Sequence, residues 1–235
     1  MDKTSKIKLV QERLAIIGKY DSNVFKYDKN IFVKSTNSFF EIVTFGRNAV
    51  IRADKLIYDW CVEHFSSMPA CEIMDGENLF LIEMKLREYS KKLAGEHARY
   101  LYLDKNKTVH QPSGFEYKLF NKSNINVLYR NQGFNNALNY KNDVIAIGAY
   151  HENQLVALAG ADDSLVDLWQ IGIDTLSSYR NKGLAPFLVK TLADEIEKRD
   201  ILPYYTTWSS NIASTAVALK AVFFPVWVGY YAEDI

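Results

Sequence analysis

The stretch YRNKGLAPFLVKTLADEIEKR, residues 179–199, sets Arg180, Lys182 and a lone glycine, Gly183, just after a strand-like run, with Pro186 in the first turn of the following helix. A helix start carries amides with no internal acceptor and a partial positive charge, so a phosphate or diphosphate is its natural partner. Gly183 permits a sharp bend and a close approach of backbone to ligand. Pro186 costs little there, because an amide in the first turn has no helical acceptor to lose. Arg180 can fork two hydrogen bonds to phosphate oxygens, and Lys182 adds a mobile charge. The competing reading is a solvated turn with two surface bases. The segment lacks the three spaced glycines of a dinucleotide loop and the Gly-Lys-Ser/Thr ending of a P-loop.

These residues need a strand behind them and a helix ahead. Leu184, Leu188, Leu192 and Ile196 recur at every fourth position, which predicts a helix packed on a sheet. Upstream, DVIAIGAYHENQLVALAGADDSLVDLWQIGID gives three strands with turns at HENQ and ADDS, after a strand at 115–120 and a helix near 124–138. Downstream come a strand at 204–208, a short helix near 210–222 and a last strand at 226–231. The earlier part reads as a helix over 6–18, two or three short strands within 31–53, helices over 54–66 and 76–94, and a strand at 99–103. In the helix over 54–66, Leu56, Trp60, Cys61 and Phe65 fall on one face; Gly95 stops the next. The polar run DKNKTVHQPSG, residues 104–114, carries Pro112 and Gly114. It divides the chain into an N-terminal α/β lobe, residues 1–110, and a second domain, residues 111–235. The last strand leaves the second sheet with an open edge, to be covered by a strand of the first lobe or by a partner subunit in a homodimer.

Of the 235 residues, 48% are hydrophobic, enough for a sizeable core. Twenty-eight basic residues offset twenty-eight acidic ones, and no basic stripe accompanies the fifteen tyrosines and thirteen phenylalanines. Nucleic acid and anionic membranes are therefore not expected partners. The N-terminus is amphipathic and charged, and no run approaches the roughly 18 apolar residues of a membrane span, so a cytoplasmic protein is expected. Cys61, His64 and Cys71 offer three ligands where a structural zinc site wants four, so buried thiols are the better reading and no metal is expected.

The turn and the order of elements resemble the GNAT superfamily of N-acetyltransferases. The family signature Gln/Arg-x-x-Gly-x-Gly/Ala is met by RNKGLA, Arg180 to Ala185, after a strand and a tyrosine in GIDTLSSYR. NIASTAVALKAVFF resembles the later motif, in which an asparagine opens a helix ending in a lysine and an aromatic. The likeness covers residues 115–231. It implies an α/β (α+β) fold, with a mixed, mostly antiparallel sheet flanked by helices. It also implies transfer of an acetyl or other acyl group from acetyl-CoA to a primary amine. Carried over by position, it puts the pyrophosphate on the loop Arg180, Asn181, Lys182, Gly183, Leu184 and Ala185. The pantetheine would pair with the backbone of Ile173 and Thr175, and Asn211 and Ser214 would stand beside that arm. The alternatives are a helix cap for Asn211 and simple packing for Ser214.

The chain departs from the family at the reacting groups. Many members protonate the departing thiolate with a tyrosine at the position of Ala218, and Val222 stands where a glycine is usual, although Lys220 and Phe223 match. Tyr204, Tyr205 and Tyr230 are the other candidate acids. Ile171 and Trp169 occupy places that often hold a base, and neither can take a proton. Asp167, expected further along the same strand face, is the remaining candidate, acting through water. Asp174 has the opposite parity, and His151 falls in a hairpin turn. An amine attacking a thioester whose carbonyl is polarised by a backbone amide needs neither acid nor base. The rival to an enzyme is a non-catalytic acyl-CoA-binding module.

Overall fold

The computed structural model describes residues 1–165 and 167–235. In chain order the first elements are α1 (Lys3–Gly18), β1 (Ile31–Lys34), β2 (Phe40–Thr44), β3 (Ala49–Ala53), α2 (Tyr58–Phe65), α3 (Ala70–Ile73), α4 (Gly76–Arg87) and β4 (Lys91–Tyr102). Then follow β5 (Glu116–Asn121), β6 (Asp143–His151), β7 (Gln154–Leu165), β8 (Leu168–Thr175), α5 (Leu184–Glu197), β9 (Leu202–Trp208), α6 (Ile212–Lys220) and β10 (Phe223–Asp234). No helix among the described residues is long and apolar enough to cross a membrane.

The chain forms two compact units, Met1–Ala98 with Val226–Ile235, and Arg99–Pro225. This partition differs from a cut at 110/111: residues 99–110 belong with the second unit and the last ten residues with the first. In the first unit β1 runs parallel to β3, and β2 lies antiparallel between β3 and β10. Val228–Tyr231 pairs with Glu41–Thr44, so the last strand is not an open edge. Phe40, Ile42, Ile51, Ile57, Cys61, Phe65, Ile82 and Leu86 are among the residues of this unit's core. The helix expected over 54–66 starts only at Tyr58 and leaves Leu56 exposed, while Cys61 and Phe65 are buried as their spacing requires. The helix expected over 76–94 ends at Arg87. Ser90, at φ 56°, turns the chain into β4, where Leu93 becomes a strand residue. Gly95 does not stop a helix; it sits in β4 at φ 88°, and a Cβ there would meet the Tyr231 ring at 2.6 Å.

In the second unit β5, β6, β7 and β8 form an antiparallel meander and β9 joins β8 in parallel. The resulting mixed, mostly antiparallel sheet is flanked by helices, as expected. The helix α5 packs against β6, β7, β8 and α6. Its stripe Leu184, Leu188, Leu192 and Ile196 is buried. The expected turn at ADDS is absent, because β7 runs on through Leu165. Residues 124–138 form no α-helix. A 3-10 turn at Ile125–Arg130 is followed by Gly133 at φ 89° and an irregular segment. Ile125 and Leu128 still enter the core, since three-residue spacing suits a 3-10 turn as well as an α-helix, and Phe134 and Leu138 reach it from the irregular segment.

Candidate functional site

The loop leaving β8 closes a 3-10 turn at Ser177–Tyr179 and then enters α5 through Gly183, the N-cap, at φ 79° and ψ 2°. Asn181 is also left-handed, at φ 61°. A Cβ on Gly183 would meet only Pro112 Cγ, at an ordinary 3.6 Å, so the positive φ and not space is what calls for glycine. No side chain caps the helix. Among the described residues nothing accepts a hydrogen bond from the amides of Lys182, Gly183, Leu184 or Ala185. Unpaired amides at the positive end of a fourteen-residue helix make an anion cradle. Arg180 is tied back by Nε to the carbonyl of Thr175 at 3.3 Å, which leaves its terminal nitrogens for a ligand.

The strand behind the loop is open on one side. Only Leu168–Ile171 of β8 pairs with Leu202–Tyr205 of β9, although β8 continues to Thr175 and β9 to Trp208. A wedge therefore opens beyond the Ile171–Tyr205 pair. Leu176 gives its amide to the Val156 carbonyl of β7 at 2.9 Å. Backbone groups alternate in direction along an antiparallel strand, so Gly172 and Asp174 face β7 while Ile173 and Thr175 turn theirs toward the wedge. Trp169, Ile171, Ile173 and Thr175 share one side-chain face by the same alternation. On it, Trp169 Nε1 and Thr175 Oγ1 are buried without a partner.

Asp167 precedes that strand. It lies in the connection before β8, where its carbonyl accepts the Leu202 amide at 3.2 Å. The paired positions Leu168–Ile171 separate it from the wedge, roughly 13 Å at about 3.3 Å per strand residue. A single water does not bridge that span. Asp174 does a different job. Its carboxylate accepts from the Asn136 amide at 2.7 Å, Asn136 Nδ2 at 2.7 Å and the Ala137 amide at 2.9 Å. Gly160 and Gly172, paired in register, make room for this segment. A Cβ on Gly160 would lie 2.0 Å from the Ala137 carbonyl oxygen, and one on Gly172 1.7 Å from that of Asn136. Sequence reading missed this docking; glycines inside two strand patterns were the available signal.

Asn211 caps α6 by accepting the Ser214 amide at 3.1 Å, the cap role weighed for it. The Ser214 hydroxyl lies 2.7 Å from the Tyr205 hydroxyl. Burial pushes the Tyr205 phenol up, and the hydrogen bond with Ser214 partly offsets this. Tyr204 points elsewhere, donating to Gln170 Oε1 at 3.0 Å, and its phenol too is raised by burial. Ala218 is fully buried. Val222 adopts φ 68°, a left-handed conformation that explains why a glycine suits the position.

Residues 104–114 are not a detached linker. Pro112 is buried near Gly183, and its carbonyl accepts the Tyr117 hydroxyl at 2.7 Å. A cleft of about 420 Å³ opens here, lined by His110, Ser113, Phe115, His151 and Lys182 among others. His151, at the end of β6, is half-buried, with Nδ1 3.2 Å from the Tyr179 hydroxyl.

The sequence matches the family model described as GNAT acetyltransferase over residues 5–224. The match takes in residues 5–110 of the N-terminal part, which carries none of the motifs above. No curated protein matches. Among solved structures, a GCN5-related N-acetyltransferase-like protein from Streptococcus suis is 17% identical, with TM-score 0.47, over 68% of this chain and 69% of that one. A GNAT-family acetyltransferase from Colwellia psychrerythraea is 14% identical, with TM-score 0.44, over 61% of this chain and 57% of that one. The ribosomal-protein-S18-alanine N-acetyltransferase from Escherichia coli is 15% identical, with TM-score 0.37, over 52% of this chain and 94% of that one. The chain thus spans less than two thirds of the Colwellia protein.

Proposed function

Because this chain belongs to the GNAT acetyltransferase family, whose chemistry is acyl transfer, we propose that it moves an acetyl group from acetyl-CoA to a primary amine. The observation that carries the reading is the junction of unpaired helix-start amides with a strand edge that β9 does not cover. The unpaired amides of Lys182, Gly183, Leu184 and Ala185 adjoin the wedge edge of Ile173 and Thr175. In this reading the amides, with Arg180 and Asn181, hold the diphosphate, and the strand edge accepts the pantetheine amides as an added strand. Asn211 and Ser214 flank that arm. The cleft at His110, His151 and Lys182 offers two imidazoles and the Lys182 ammonium to the nucleotide end. The unit Arg99–Pro225 carries the donor site in this reading, and the setting is cytoplasmic.

Catalysis rests on placement. A neutral amine attacks the thioester carbonyl, whose developing oxyanion takes a hydrogen bond from a wedge-facing amide of β8. Trp169 and Ile171 cannot act as bases, so the amine must arrive deprotonated and lose its excess proton to solvent. Calorimetry with acetyl-CoA, alongside thiol release on a panel of small amines, tests the assignment. Arg180→Ala and Gly183→Asp should each weaken acetyl-CoA binding by tenfold or more, as an order of magnitude. Binding without turnover on any amine would favour an acyl-CoA-binding module; no binding by the unmutated protein would end both readings.

A further inference from the structure

We infer that Ser214 is a catalytic hydrogen-bond donor to the departing CoA sulfur, held in that role by Tyr205. The inference rests on the acetyl-CoA reading and adds the group that the buried Ala218 cannot supply. The wedge begins at the Ile171–Tyr205 pair. From Thr175, beside the diphosphate loop, to Ile171 is roughly 13 Å at about 3.3 Å per residue, the order of an extended pantetheine arm. A thiol at the end of that arm reaches the apex of the wedge. Residues side by side in a parallel pair point the same way, so Tyr205 shares the face of Ile171, Ile173 and Thr175. Its hydroxyl is 2.7 Å from that of Ser214. Ser214 is half-buried on α6, one turn before Ala218, so positions 214 and 218 lie on one helix stripe.

Either hydroxyl of this pair can donate. The phenol is the more acidic hydroxyl and Tyr205 is 2% exposed, and the role inferred for Ser214 has Tyr205 donating and Ser214 accepting. That leaves the Ser214 proton for an outside acceptor. As the amine nitrogen bonds to the carbonyl carbon and the C–S bond breaks, the electron pair passes to sulfur, and the Ser214 hydroxyl donates a hydrogen bond to the forming thiolate. No proton leaves Ser214 or Tyr205. The amine's excess proton goes to solvent, and the released thiolate is protonated by water. Tyr205 is a positioning residue.

CoA itself reports on this without an acceptor amine. Binding of CoA and of desulfo-CoA is measured by calorimetry from pH 7 to pH 10, with thiolate absorbance recorded on the bound complex. In the unmutated protein the bound thiol should ionise about one pH unit below free CoA, a roughly tenfold tightening for the thiolate from one hydrogen bond to a charged group. Desulfo-CoA should show no such tightening. Ser214→Ala should abolish the pH-dependent tightening that separates CoA from desulfo-CoA, Ser214→Thr should retain it, and Tyr205→Phe should reduce it. An unchanged shift in Ser214→Ala, or no shift in the unmutated protein, overturns the role of Ser214 and leaves the donor site standing. Failure of both CoA and desulfo-CoA to bind the unmutated protein overturns this inference together with the acetyl-CoA reading.

Discussion

Replacing Gly172 with alanine isolates the docking of the 136–137 segment on the sheet. The new Cβ would lie 1.7 Å from the Asn136 carbonyl oxygen and 2.7 Å from its carbon, both backbone atoms that no rotamer change can move aside. Ordinary contact begins at 3.4 Å, so the segment must retreat by about 1.7 Å. A retreat of that size breaks the hydrogen bonds of Asp174 to Asn136 N, Asn136 Nδ2 and Ala137 N, now 2.7, 2.7 and 2.9 Å. At about 1 kcal/mol net for each bond, the expected loss is roughly 2–4 kcal/mol. Gly76 is the control: it opens α4, has no atom within 4 Å of its would-be Cβ, and should accept alanine within about 0.5 kcal/mol. The assay is amide hydrogen exchange at Asn136 and Ala137, whose N–H groups both donate to Asp174. A loss of about 2 kcal/mol speeds exchange there about thirtyfold. If both amides stay as protected in Gly172→Ala as in Gly76→Ala, the close approach is not what fixes this segment and the reasoning is refuted.

Asp174→Asn keeps one acceptor oxygen and should speed exchange at the same amides by less than Gly172→Ala does. Gly183→Ala must hold an alanine at φ 79°, a strain of about 1–2 kcal/mol, seen as a lower denaturation midpoint together with weaker acetyl-CoA binding. Thr175→Val removes a buried hydroxyl that has no partner, so the free protein should gain about 0.5–1 kcal/mol in urea unfolding; a loss would mean the hydroxyl is satisfied. Burial pushes the Cys61 thiol up to about 12, so at pH 8 it stays protonated, whereas Cys71 is exposed. A disulfide reagent should therefore titrate one thiol per native chain and two after denaturation, and two fast thiols in the native protein would contradict the burial.

Local chemistry was legible in the sequence because it depends on neighbours along the chain. The four-residue repeat Leu184, Leu188, Leu192, Ile196 specifies a buried stripe wherever the helix lies, and Gly183 before it specifies a left-handed entry. The loop RNKGLA, the asparagine cap of α6 and the strand run to Thr175 follow from the same short-range rules. Residues 124–138 and 76–94 were misread because apolar spacing of three or four fits more than one backbone, and single left-handed residues, Gly133 and Ser90, decided between them.

The sequence by itself determined the unpaired amides at the start of α5, since the hydrogen-bonding rule of any helix start leaves them without helical acceptors. Tertiary structure alone decided the rest of the site. Strand pairing that ends at Ile171 and Tyr205 creates the wedge and leaves Asp167 beyond its closed end. Contacts between residues distant in sequence or on separate elements put Asp174 under Asn136, Pro112 near Gly183 and Tyr205 beside Ser214. The reason is physical: a helix start is fixed within four residues of chain, whereas where two strands part is set by contacts among elements far apart in sequence.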